Sequence, residues 1–226
     1  MKRGKKYREG VKKYDSAVSF ELKEAVSLIK SMAYAKFDET VDLSVKVNLK
    51  KSQSVRDTVV LPHQFRAEKK VLVFCKPEKE KEAQDAGAAF VGADDLIEKV
   101  KGGWTDFDVA VATPDMMKDV GKLGMVLGRK GLMPNPKTGT VTFDLKSALA
   151  ELKKGRTEFR ADKTGVVHLA VGKVSMESEK IAENVQVVVS EIKRKRPADA
   201  KGDFIQTVSV SSTMGPGVWV AMKDEE

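Results

Sequence analysis

Two kinds of strand occur in this chain, and their order along it constrains the fold more than any other feature. Val41-Asp-Leu-Ser-Val-Lys-Val-Asn-Leu49 alternates apolar and polar residues strictly, the pattern of a sheet with one face in the core and the other in water. The alternation returns in Thr164-Gly-Val-Val-His-Leu-Ala-Val171 and in Phe204-Ile-Gln-Thr-Val-Ser-Val210. Between these segments, Lys70-Val-Leu-Val-Phe-Cys75 and Asp108-Val-Ala-Val-Ala112 are almost continuously apolar, as strands covered on both faces are. The economical reading has two domains. Residues 1–66 and 160–226 form one discontinuous α+β domain of two layers, and residues 67–159 are inserted as a three-layer, Rossmann-like α/β domain with a parallel sheet.

The helical pattern agrees with that division. Leu22, Ala25, Val26, Ile29 and Ala33 fall on one stripe of a helix over 19–34 with Ser19 as its cap, and Ile181, Val185, Val188 and Ile192 stripe a second over roughly 177–195, ended by Pro197. In the insert, helices near 78–86, 94–101 and 145–154, with a short one from Pro114, alternate with strands including Ala88-Ala-Phe-Val91. Residues 121–139, rich in Gly, Pro and Lys, are expected to be mostly loop. Thr58-Val-Val-Leu61 reads as a strand stopped by Pro62, and Val218-Trp-Val-Ala221 as one following the turn Thr213-Met-Gly-Pro-Gly217.

Charge narrows the function. The chain carries a formal +8, which favours a polyanionic partner. Residues 1–66 hold 15 basic against 8 acidic side chains, 67–159 hold 16 against 15, and 160–226 hold 10 of each. The excess therefore belongs to the N-terminal third, where Lys2, Arg3, Lys5, Lys6, Arg8, Lys12 and Lys13 read as a flexible phosphate-binding arm. The N-terminus lacks an apolar stretch behind its basic start and no apolar run is long enough to span a bilayer, so a cytoplasmic chain with no membrane contact is expected. The free chain is expected to be a monomer. Cys75 is the only cysteine and sits in an apolar strand; with His63 and His168 the only histidines, metal or histidine chemistry has little material, and no cofactor is expected.

A parallel α/β insert invites comparison with nucleotide enzymes, whose ligands lie at the strand C-termini. The phosphate-binding glycine patterns are absent, and Lys76-Pro-Glu follows the first strand instead. Gly128-Arg-Lys-Gly-Leu-Met-Pro-Asn-Pro-Lys137 offers Arg129, Lys130 and Lys137 either to a phosphate backbone or simply to water. Lys193-Arg-Lys-Arg196 fits a nucleic-acid patch or compensation of a helix dipole equally. Asp106, Asp108 and Asp115 could form a carboxylate cluster for metal or acid/base work, but Asp115 suits a helix start better, as Asp94 and Asp95 do.

Two segments are sharper. Lys36-Phe37-Asp-Glu-Thr40 puts a cation, an aromatic ring and a hydroxyl at a strand mouth, groups that suit phosphate, base or ribose, and a 2′-OH respectively, although Phe37 alone also suits a core. Ser211-Ser-Thr-Met-Gly-Pro-Gly217 offers three hydroxyls and a glycine turn with no charge, fit for close approach to an RNA sugar edge or for a plain hairpin turn.

Taken together, Ala35-Lys-Phe-Asp-Glu-Thr40, Ala112-Thr-Pro-Asp115, Leu127-Gly-Arg-Lys-Gly-Leu-Met-Pro-Asn-Pro-Lys-Thr-Gly-Thr140, Phe159-Arg-Ala-Asp-Lys-Thr-Gly165 and Thr213-Met-Gly-Pro216 closely resemble the large-subunit ribosomal protein L-one family of the mobile ribosomal stalk. The resemblance covers essentially the whole chain. It implies a non-catalytic, two-domain protein bound to large-subunit rRNA near the exit site for deacylated tRNA, whose release it assists among other large-subunit components. Bacterial members also repress translation by binding their own operon mRNA. By resemblance, RNA contacts fall on Lys36, Phe37, Thr40, Arg160, Asp162, Lys163, Thr164, Gly165, His168, Ser211, Ser212, Thr213, Met214 and Gly215; apart from the resemblance, the basic run of the insert makes Arg129, Lys130 and Lys137 expected secondary RNA contacts. The family's hydroxyl run before Met-Gly-Pro is often all threonine, whereas here it is Ser211-Ser212-Thr213.

Overall fold

The structure is a computed structural model that describes residues 4–49, 55–66, 69–197 and 202–221. In chain order the elements are α1 (Lys5–Val11), β1 (Ser19–Phe20), α2 (Leu22–Met32), β2 (Thr40–Val47), β3 (Arg56–Val60), β4 (Val71–Phe74), α3 (Pro77–Asp85), β5 (Phe90–Gly92), α4 (Asp94–Lys101), β6 (Val109–Ala112), α5 (Met117–Val120), α6 (Gly124–Leu127), α7 (Leu145–Lys153), β7 (Arg156–Arg160), β8 (Val166–Lys173), α8 (Ser178–Arg194), β9 (Ile205–Ser212) and β10 (Gly217–Val220). The chain divides into a terminal unit, Met1–Phe65 with Phe159–Glu226, and an inner unit, Arg66–Glu158.

The terminal unit is built on a five-stranded sheet in the order β1-β10-β9-β2-β8, antiparallel except where β1 joins β10. In β2 the period of two is complete: Val41, Leu43, Val45 and Val47 are buried, while Asp42, Ser44 and Lys46 turn the other way. The buried face packs on α2 and α8 through Ile29, Val26, Ile181, Val185 and Val188, each such side chain contributing about 1.5–3 kcal/mol. Only one face of the sheet is covered by these helices, which leaves the other for polar side chains.

Three expectations need correction here. Ser19 does not cap α2, because Ser19–Phe20 is the edge strand β1, held by the Ala221 N–H donating to the Phe20 carbonyl at 2.8 Å. The helix begins only after Glu21, whose backbone is extended. The basic N-terminus is not a flexible arm over its described part: Lys5–Val11 is helical. A helix this short gains little from its own hydrogen bonds. It is seated by tertiary contact, since Gly10 is buried beside the Pro216 ring and the Tyr14 hydroxyl donates to the Gly217 carbonyl at 2.8 Å. Lys2 and Arg3 lie outside the described residues.

The inner unit has a parallel sheet in the order β5-β4-β6. Every residue of β4 is buried, and the side chains alternate between two apolar clusters. Leu72 and Phe74 meet α4 and the 116–127 segment, whereas Val71 and Val73 meet α3 and α7. The third correction concerns 121–139. It holds a 3-10 turn at Gly121–Leu123, α6, and another turn at Pro136–Thr138, because Leu123 and Leu127, one helical turn apart, are both buried in the first cluster. Beyond it, Asn135, Thr138 and Thr140 close a small knot of hydrogen bonds. β7 also escaped the sequence reading; it pairs with β3, and the Ala161 N–H donates to the Val55 carbonyl at 2.8 Å.

One buried amide fastens the segment after β3. Asn184, fully buried on α8, accepts from the His63 N–H at 3.1 Å and donates to the carbonyls of His63 and Val171 at 2.9 and 2.8 Å. Asn184→Ala orphans those groups, so urea unfolding is expected to show a loss of about 1–3 kcal/mol.

Candidate nucleic-acid interface

The loop between α2 and β2 meets the turn between β9 and β10. β2 and β9 pair from Val47↔Ile205 up to Val41↔Ser212, and Thr213 adds one rung past the end of that ladder. Its N–H donates to the Thr40 carbonyl at 3.0 Å; its hydroxyl accepts from the Thr40 N–H at 3.0 Å and donates to the same carbonyl at 3.1 Å. The Tyr34 hydroxyl donates to the Met214 carbonyl at 3.0 Å.

Beneath this junction lies Glu39, 1% exposed. One carboxylate oxygen accepts the N–H groups of Tyr34 and Ala35 at 3.1 and 2.9 Å, the other that of Met214 at 3.1 Å. Burial pushes the carboxyl pKa up, but the Ser212 hydroxyl and the N–H groups of Ala35, Met214 and Tyr34 outweigh it and hold the group below the usual Glu range. On the two segments so joined, Phe37 and Met214 are 56% and 49% exposed and Lys36 is exposed too. The arrangement presents apolar and cationic side chains on a braced backbone.

Sequence-expected residues divide by role. Ser212 is buried, its hydroxyl accepting from the Gly215 N–H at 3.2 Å and bonding Glu39, so it braces the turn from inside rather than facing a ligand. At Gly215 a Cβ would fall 2.4 Å from that hydroxyl oxygen, so any larger residue would displace the Ser212 hydroxyl. Asp162 spends one carboxylate oxygen on the Thr164 and Val166 N–H groups, both at 2.8 Å, and bonds the Thr164 hydroxyl. The Val166 N–H and the Thr164 hydroxyl, helped by the Thr164 N–H and nearby His168, lower its pKa against the opposing effect of desolvation. Gly165 completes this turn at φ 78°, where a Cβ would sit 2.7 Å from the Val47 carbonyl oxygen.

The structure does not bring all these residues to one spot. Thr40 pairs with Lys173 at one end of β2 and Lys46 with Val166 at the other, so the 160–165 turn lies about 20 Å along the sheet from Thr213 at roughly 3.3 Å per residue. The uncovered sheet face joins them. His168 and Ser44 face each other midway, Nδ1 to Oγ 3.0 Å, with Ser209 and then Trp219 in register across the strands. Trp219 is 42% exposed and was missed; the alternation of Val218-Trp-Val was its only signal. Exposed Lys5, Lys6, Arg8 and Lys12 of α1 and its C-cap add positive charge beside the Pro216 turn, Lys6 Nζ standing 5.8 Å above the Tyr34 ring centre.

Comparison with known proteins decides the family. The family model described as "Ribosomal protein L1p/L10e family" matches residues 29–216. The large ribosomal subunit protein uL1 of Treponema denticola is 70% identical over 223 residues, 99% of either chain, and that of Treponema pallidum strain Nichols 65% over 226 residues, the whole of both. That of Borrelia hermsii is 58% identical over 217 residues, 96% of this chain and 97% of the relative. The chain belongs to the ribosomal protein L1p/L10e family.

This L1p/L10e chain is a ribosomal protein and not an enzyme, and the inner unit has little to hold a nucleotide. Glu78 and Glu80 occupy the first turn of α3 after β4, where a phosphate would meet like charge. Among the described residues no cluster of three His, Cys, Asp or Glu side chains is placed to hold a metal ion, and no helix is long and apolar enough to cross a membrane. Cys75 is buried, its thiol pKa pushed up by desolvation and by Glu80. Arg129 and Lys130 are exposed at the turn after α6, Lys130 bonding the Thr105 hydroxyl; the Lys137 side chain lies outside the described residues. His63 is pinned by Asn184 and faces Glu183 at 2.5 Å. In Lys193–Arg196, Arg194 reaches Glu191 at 3.8 Å and Lys195 meets Asp57 at 2.5 Å, structural uses of that basic run.

Glu39's contribution has a definite pH dependence. Its folded pKa is depressed, so the stabilisation is complete above the unfolded value, roughly 4.3 for Glu, and is lost as pH falls through the lower folded value. The stability advantage of the wild type over Glu39→Gln, measured by urea unfolding, should stay constant from about pH 7 to pH 5 and shrink below about pH 4.

Proposed function

We propose that the braced junction of residues 34–40 with 211–215 is where this chain holds structured RNA, and that the chain is a cytoplasmic constituent of the large ribosomal subunit, as its relatives are named. The observation that carries this reading is the closure of two segments 173 residues apart, Thr40 and Thr213, into one surface with exposed Lys36, Phe37 and Met214. A surface fixed before binding loses little conformational entropy on contact. Main chain, hydroxyl and apolar groups at its centre suit a sugar edge or splayed base, while α1 supplies phosphate-directed charge at its border. The RNA track continues along the uncovered sheet face over Ser211 and His168 to Arg160 and Lys163, with Asp162, Thr164 and Gly165 shaping the far turn.

In finer terms, the partner is large-subunit rRNA of the mobile stalk near the tRNA exit site, where the chain assists release of deacylated tRNA. The same surface takes an RNA of like shape in the messenger of its own operon, making the chain a translational repressor. The terminal and inner units act as separate domains, the first binding rRNA and the second, near-neutral in charge, making a secondary contact with rRNA or passing tRNA through Arg129, Lys130 and Lys137. The free chain is a monomer.

Filter binding with a labelled stalk-rRNA fragment against excess tRNA tests this. Phe37→Ala and Met214→Ala remove exposed side chains and leave the Thr40–Thr213 bonds in place, so each should weaken the stalk fragment at every salt concentration, Phe37→Ala by about tenfold or more, the scale of 1–3 kcal/mol for one base stacked on an aromatic ring. Neutralising Lys5, Lys6, Arg8 and Lys12 should instead flatten the salt dependence, by about 0.7–0.9 in log–log slope for each phosphate left without its cation. Equal losses on stalk fragment and tRNA for Phe37→Ala and Met214→Ala would refute a specific surface.

A further inference from the structure

Glu39 does more than the strand pairing around it requires. β2 and β9 are already joined over seven register pairs, and Thr213 extends the ladder with three more hydrogen bonds. None of these uses the carboxylate. What the carboxylate holds are N–H groups with no place in the sheet: those of Tyr34 and Ala35, just beyond the end of α2 where Ala33 is already extended, and that of Met214 at the tip of the turn. The segments so tethered carry Lys36 and Phe37 on one side and Met214 on the other.

We propose that Glu39 is a positioning residue for RNA discrimination: without touching RNA, its buried carboxylate locks the Phe37 loop and the Met214 turn in the spacing that structured RNA reads. The proposal rests on the RNA-binding reading of this surface. Its chemistry is specific to a carboxylate. Two acceptor oxygens face three backbone donors and one hydroxyl, and no donor is available on the group itself. A glutamine of the same size offers only one acceptor oxygen, and its amide nitrogen confronts an N–H with an N–H. An aspartate keeps the charge but is one methylene too short to reach both segments. Either substitution releases one side of the surface and leaves the β2–β9 ladder intact.

The competition assay with the stalk-rRNA fragment and tRNA decides the matter on Glu39→Gln, with Ser212→Ala as a milder variant that removes one partner of the carboxylate. Expected for Glu39→Gln is at least a tenfold weakening on the stalk fragment, with tRNA binding and the salt slope unchanged. In a double-mutant cycle with Met214→Ala the losses should not add, because both act through the same turn; a merely global destabilisation gives additive losses. Ser212→Ala should lose a smaller part of the discrimination, and it alone decides if Glu39→Gln does not fold. A folded Glu39→Gln that discriminates as well as wild type, additive losses in the cycle, or an unaltered Ser212→Ala where it alone decides overturns the proposal. If wild type itself fails to distinguish the stalk fragment from tRNA, the RNA-binding reading fails first, and that result is separate from any of the three.

Discussion

Where the α2–β2 loop passes the β9–β10 turn, the chain buries a full negative charge and surrounds it with donors. An isolated carboxylate in that position would be strongly disfavoured and would take up a proton. Glu39 remains charged because three backbone N–H groups and the Ser212 hydroxyl converge on it. The dependence runs both ways, since those N–H groups belong to loop backbone that has no helix or sheet partner. The charge therefore fixes the loop, the turn and the exposed side chains they carry. Gly215 follows from the same constraint, because a Cβ there would collide with the hydroxyl that helps to solvate the carboxylate.

Around this centre the division of labour between charge and shape is clear. The positive excess lies in the N-terminal third of the sequence, and the structure seats part of it in α1 beside Pro216 through Gly10 and Tyr14. The C-terminal part contributes no net charge, and at the junction it supplies backbone, a hydroxyl already bonded to Thr40, and the Met214 side chain. Charge of the first kind is screened by salt; fixed short-range contacts of the second kind are screened far less. A chain with this much basic character can thus still discriminate among polyanions, provided the uncharged half of the surface keeps its shape.

The sequence was legible wherever a local period determines the outcome. β2 and β4 differ in burial as their apolar patterns differ, and α4 and α8 begin and end within one residue of the spans read from the sequence, 94–101 and 177–195. It was illegible where a distant segment decides. Seven residues from Lys5 are helical because of Pro216 and Gly217, Ser19 is an edge strand because of Trp219, and Leu123 with Leu127 curls a glycine-rich stretch because of a cluster on β4 and β6. At the candidate site, the residue types were readable but not their roles: Ser211 and Ser212 are adjacent hydroxyls, yet only Ser212 turns inward to the carboxylate. Glu39 lies within the Ala35–Thr40 motif, but nothing there marked it as buried, since one acid before a strand looks like any exposed one.

By itself, then, the sequence determined the period of each strand, the apolar face of each long helix, the sign and place of the net charge, and the residue types available at the loops. These are properties of neighbours in the chain, set by side-chain geometry over a few residues. Only the tertiary structure decided which hydroxyls face solvent, which acid is buried, and how far the 160–165 turn stands from Thr213. Those outcomes depend on partners more than a hundred residues away, and hydrogen bonds across such separations leave no periodic trace in either segment.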